Sequence, residues 1–136
     1  MGALVWIWNW QIQCCGTPFT VGSEVTWTVT EPDAESLSPI LGETRAAGVT
    51  YEEEHHGSEA AVIGSVHGTV RSIQAVHCQL ASVPNTDPQI LAAVPGSAVS
   101  VHVTHADGWD TGGTIEDFCG YVVDLEQLDF RPVESG

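Results

Sequence analysis

The chain contains no lysine, and its only strong bases are Arg45, Arg71 and Arg131, set against 18 aspartates and glutamates in 136 residues. Without lysine there is no Schiff-base amine, no phosphate-loop lysine and no lysine general base. The formal net charge of −15 repels phosphate backbones and anionic membrane surfaces. Direct nucleic-acid binding is therefore not expected, and basic proteins or cations are the partners the field favours. No apolar run approaches the ~20 residues needed to cross a bilayer. The apolar stretch Met1–Trp8 has no basic residue before it, and Asn9, Gln11 and Gln13 interrupt it before signal-peptide length. Trp6 also stands where myristoylation requires Ser or Thr. These absences predict a cytoplasmic protein in which Cys14, Cys15, Cys78 and Cys119 are reduced thiols. The chain also lacks a C-x-x-C pair, a G-x-S-x-G elbow and an H-E-x-x-H helix, so no catalytic residue is assigned.

What is present suffices to fold. Hydrophobic residues make up 43% of the sequence and include five tryptophans, which predicts one folded acidic domain over residues 1–136. Leu4 to Gln13 alternates, with Trp6, Trp8, Trp10 and Ile12 on one side, and a second alternating run follows from Phe19 to Thr30. Period two places one set of side chains on one sheet face, and Gly16-Thr17-Pro18 supplies turn chemistry between the runs. The three N-terminal indoles are expected to line one wall of a packed barrel. Thr20, Glu24, Thr26, Thr28 and Thr30 are expected to face water.

Ser38-Pro39 reads as an N-cap followed by proline at the first helical position, starting a short helix that ends at Gly48. Val49 to Glu53 reads as a charged edge strand. Val62 to Leu80 is a long strand whose apolar parity slips between Val70 and Ile73, predicting a bulge and strong bending. Ala81 to Gly96 reads as loop, Val99 to Val103 as a strand, and Phe118 to Leu128 as the last strand, with Cys119, Tyr121, Val123 and Leu125 on one face. The expected fold is mainly β: a small antiparallel barrel of five to six strands, of the oligonucleotide-binding-fold or SH3-like kind, with one or two short helices.

Two kinds of site can be drawn from these residues. Thiols and imidazoles are the donors zinc prefers, and Cys14, Cys15, His55, His56, His67, His77, Cys78, His102, His105 and Cys119 are all available. Adjacent residues on a strand face opposite ways, so neither Cys14-Cys15 nor His77-Cys78 grips one ion easily. The best zinc set is Cys14 or Cys15 with His55 or His56 and Cys78. A thiol-dependent enzyme centred on Cys14 or Cys15 is the related alternative. The second kind of site is an acidic face. Glu52, Glu53 and Glu54 lie in a Glu-rich segment from Glu31 to Glu59, and Trp109 sits in a Gly- and Asp-rich loop as a candidate anchor. This favours a non-enzymatic binding or accessory module, without cofactor, that recognises a basic protein such as a toxin or nuclease.

The string Trp10-Gln11-Ile12-Gln13-Cys14-Cys15-Gly16-Thr17-Pro18-Phe19-Thr20-Val21-Gly22, followed by Val25-Thr26-Trp27, resembles the opening signature of a family of small actinobacterial proteins of unknown function. His55-His56-Gly57, Gly68-Thr69-Val70, Ile73 to Cys78 and Gly108-Trp109 are similar to that family as well. The resemblance covers most of the chain. It implies a GC-rich bacterial origin and a cytoplasmic β-barrel domain, and brings no ligand or catalytic residue with it.

Overall fold

The computed structural model describes residues 2–8, 12, 18–53, 62–82, 91–94, 98–108 and 117–133. In chain order they form β1 (Gly2–Trp8), β2 (Phe19–Thr20), β3 (Glu24–Thr30), α1 (Ala34–Leu41), α2 (Glu43–Ala47), β4 (Tyr51–Glu53), β5 (Val62–Cys78), β6 (Leu80–Ser82), β7 (Leu91–Ala93), β8 (Val99–Val103), β9 (His105–Ala106) and β10 (Asp117–Pro132). Mainly β with two short helices is thus the observed class.

Six strands form one sheet in the order β10-β1-β4-β3-β5-β8, and β10 also pairs with β5. The sheet is mixed rather than purely antiparallel, because β1 and β4 run parallel through Val5↔Tyr51 and Trp6↔Glu52. A parallel pair needs a long crossover, and β2, β3, α1 and α2 supply it. For the same reason the short charged strand is not an edge: β4 is flanked by β1 and β3. β2 pairs with β9, and β6 with β7, as separate two-stranded sheets. The β6–β7 pair occupies both ends of the stretch read as loop.

The expected parity slip in β5 is observed. Leu125 pairs with Val70 and Asp124 with Ser72, so Arg71 is the extra residue of a bulge. Val66 and Val70 before it and Ile73 and Ala75 after it therefore all reach one core. β10 carries two shifts of its own, which leave Cys119 and Leu128 out of register. Tyr121, Val123 and Leu125 share the face expected for them, but the first shift turns Cys119 to the other side, with Val122.

Two cores result. The strand core joins Val5, Ile7, Phe19, Trp27, Val66, Ile73, Tyr121 and Leu125. Phe19 meets Trp27 and Tyr121 edge-on, with ring centroids 5.0 and 6.2 Å apart. The second core lies on the opposite face, where Leu37, Ile40, Leu41 and Ala46 of the helices cover Trp6, Val76 and Val122. Two of the N-terminal indoles, Trp6 and Trp8, therefore belong under the helices, and Trp10 lies outside the described residues. Leu4, Trp6 and Trp8 go to that side, whereas Val5 and Ile7 face the strand core. Both faces of β1 are covered, so its alternation selects between two cores rather than between core and solvent. Each fully buried large side chain contributes about 1.5–3 kcal/mol of burial free energy.

Local chemistry sets the boundaries. The first strand ends at Trp8, and Ile12 is helical and buried rather than part of a longer strand. A turn at Val21-Gly22 splits the second run; Gly22 has φ of 93°, and its N–H donates to the Val70 carbonyl at 2.8 Å. The helix starts five residues earlier than its Ser-Pro signal, because Asp33 Oδ1 accepts the Glu35 N–H at 3.2 Å and caps the first turn. Pro39 lies inside α1, which ends two residues later before Gly42 at φ 85°. Thr30 is buried rather than exposed, its hydroxyl donating to the Glu31 carbonyl at 3.1 Å.

Candidate functional site

The acidic surface is built by the helical crossover. Glu31, Asp33, Glu35 and Glu43 all lie on it, and all four are exposed. Glu35 and Glu43 sit in the first turns of α1 and α2. Part of their placement is structural, since carboxylates at helix N-termini offset the positive end of the dipole. The one base of the helices, Arg45, turns away across the sheet. Its guanidinium bonds Gln74 Oε1 and donates from Nη1 to Ser100 Oγ at 2.8 Å.

The other two arginines are held by carboxylates. Arg71, the bulge residue of β5, donates to Asp124 at 2.8 Å and to Glu126 at 2.9 Å on β10. The hydrogen bond to Asp124 is the main cause that raises the guanidinium's pKa further above its usual value, followed by the charge of the same residue. Arg131 bonds Asp129 at 3.0 Å. All three arginines of the chain are thus engaged in internal contacts with groups on the sheet strands.

A shallow groove of about 270 Å³ lies on the outer side of β3, β5 and β10, lined by Thr26, Ser65, His67, Asp129 and Arg131. At its rim His67 Nε2 is 2.6 Å from Glu24 Oε1. Both side chains are well exposed, at 40% and 63%. A carboxylate can orient an imidazole for proton transfer, but an exposed pair in an open groove lacks the water exclusion that gives such a pair catalytic strength. Neither this pair nor the Arg45–Gln74–Ser100 network was legible from the sequence. Outward parity was readable for Glu24, but its pairing depended on the β3–β5 register, in which Thr26 lies opposite His67.

Of the expected metal set only Cys78 is among the described residues. Cys14, Cys15, His55 and His56 lie outside the described residues, as do Glu54 and Trp109. Cys78 is not a reduced thiol but is bonded to Cys119, with Cα atoms 6.6 Å apart. The cause is the β10 shift, which puts Cys119 out of alternation and diagonally across from Cys78 under the helices. His77 is buried against Phe118, with ring centroids 5.5 Å apart. Among the described residues neither of its ring nitrogens has a hydrogen-bond partner. His102 Nε2 faces the Gln74 amide at 3.4 Å, and His105 is exposed on β9. Among the described residues no three His, Cys, Asp or Glu side chains are grouped to hold an ion.

Of the expected acidic triplet, Glu52 and Glu53 are described and neither is exposed. Glu53 is only 1% exposed, because β4 is an interior strand, and Glu52 is half-buried. Among the described residues of the Glu-rich segment, the exposed carboxylates are Glu31, Asp33, Glu35 and Glu43 of the helical crossover.

A mainly β domain with its cations engaged internally and carboxylates on its helical face is the class these features define. The chain belongs to the family of unknown function DUF6578, whose model matches residues 1–127. No curated protein and no solved structure matches it. Among the described residues no helix is long and apolar enough to cross a membrane.

Proposed function

We propose that this protein is a non-enzymatic binding module that recognises a basic protein through its acidic helical face. The observation that carries the reading is the engagement of Arg45, Arg71 and Arg131 in internal contacts, while Glu31, Asp33, Glu35 and Glu43 are exposed. A chain of net charge −15 whose few cations are already engaged projects an attractive field toward positive surfaces, and such a field accelerates encounter. The pairing of β10 with both β1 and β5 supports reading the sheet as a small barrel, a rigid carrier for the helices.

The test is affinity capture at low salt with the wild-type chain and with an E31Q/D33N/E35Q/E43Q variant. Asparagine caps helices about as well as aspartate, so the Asp33→Asn change keeps the start of α1. A basic protein bound by the wild type, lost by the variant and associating more slowly as salt rises is the expected result. If capture recovers no partner while Cys15→Ser abolishes a measurable phenotype, a thiol or zinc centre at Cys14 and Cys15 replaces this reading.

A further inference from the structure

Strand β8 ends the strand order. It pairs with β5 from Ile73↔Val103 to His77↔Val99, and among the described residues nothing pairs with its other edge. Open edges are ordinarily blunted by charge, proline or a bulge, because their unpaired N–H and C=O groups template further pairing. β8 has none of these devices: it reads Val99-Ser100-Val101-His102-Val103 and is in continuous register with β5. In a chain with 18 carboxylates this strand carries none. The charged side chain that reaches it is a cation, Arg45, through Ser100. Val99 is 39% exposed, Ser100 and His102 are exposed, and Val101 and Val103 are half-buried.

We propose that the outer edge of β8 is a self-association surface, pairing antiparallel with β8 of a second copy about a twofold axis at Val101. The strand is self-complementary about that residue. Val99 would oppose Val103 of the second copy, Val101 would oppose its own counterpart, and Ser100 would oppose His102. One face of the joined sheet gains three valine pairs and the other gains two hydroxyl–imidazole pairs, both favourable cross-strand combinations. Alternate residues of an antiparallel strand direct both backbone groups outward. A twofold at Val101 therefore satisfies the ladder whichever set faces out, with about four to six new hydrogen bonds. The second copy is favoured over a foreign basic strand because the edge offers no carboxylate to recognise a base. It is an uncharged part of the described surface on which two chains of net charge −15 can meet. An interface this small is a weak one. Mutual repulsion of the two chains predicts that it strengthens as salt rises, opposite to the salt response of the partner binding proposed above. The two proposals therefore fail independently.

Sedimentation equilibrium of the whole chain, over a range of concentrations at low and high salt, reads the association. The expected mass rises toward twice that of one chain, more steeply at high salt. Hydrogen exchange on the wild type should show alternate amides of residues 99–103 gaining protection with concentration. Val101→Glu and Val101→Lys should each remain monomeric, and an equimolar mixture should recover the dimer, since opposite charges then face each other at the axis. Circular dichroism of each variant checks that it keeps its strands. A wild type that stays monomeric at every concentration and salt overturns the proposal. So does a dimer whose β8 amides remain unprotected, a pair of folded variants that dimerise separately or fail to recover when mixed, or protection of β8 by a basic peptide instead.

Discussion

The strand core and the helix-covered core hold side chains buried to the same degree, yet they are assembled differently. Leu125 and Leu37 are both fully buried. Leu125 sits among residues from β1, β2, β3, β5, β9 and β10, so its contacts link distant parts of the chain. Leu37 joins two short helices to the outer sides of β1, β5 and β10. A helix of eight residues beside one of five has little stability of its own and depends on that apolar stripe. The difference separates a region that must form for the fold to exist from a region that can open while the sheet persists.

Leu125→Ala should therefore have the largest effect, about 3–5 kcal/mol of stability lost in a single cooperative transition. Leu37→Ala should cost less, about 2–3 kcal/mol, because the helices can settle into part of the space. Urea unfolding gives both values, and hydrogen exchange sharpens them: the Leu37 variant should release α1 and α2 amides while β5 and β10 stay protected. If both variants expose β5 equally, the two cores are one cooperative unit and the comparison breaks.

The disulfide is expected to matter about as much as Leu37, because it ties β5 to β10 beneath the helices. Cys78 and Cys119 are 41 residues apart, and closing a loop of that size in the unfolded chain stabilises the fold by about 2–4 kcal/mol. Cys119→Ser should lose an amount in that range. A thiol count on denatured wild type, before and after reductant, should rise by two for this bond.

The smallest effect is expected at Trp6. Its indole is fully buried, and among the described residues its Nε1–H has no hydrogen-bond partner. Trp6→Phe loses apolar contact but also removes a donor whose burial is costly, so the net change should stay within about 1 kcal/mol. A loss of several kcal/mol in the same urea titration would show that the indole volume alone dominates the helix-covered core.

Much of the fold was legible because period-two patterning is a local property. The alternation of β3, the slip at Arg71 and the last strand could all be read from neighbouring residues. The start of α1 was also local but was missed, since Ser38-Pro39 imitated the N-terminal signal that Asp33 provides. The candidate site was less legible. That Glu31, Glu35 and Glu43 are exposed follows from their chemistry, but that Glu53 is buried follows only from β4 lying between two strands.

The sequence by itself determined an acidic, mainly β domain without lysine chemistry, together with the slip that bends β5 at Arg71. Composition and short-range periodicity act within a few residues, so they need no knowledge of the rest of the chain. Tertiary structure alone decided that β1 and β4 run parallel, that the N-terminal tryptophans Trp6 and Trp8 lie beneath the helices, and that Cys78 bonds to Cys119. Each of these depends on which distant strand becomes the neighbour and in what register. A one-residue shift in β10 is enough to move a side chain from one core to the other.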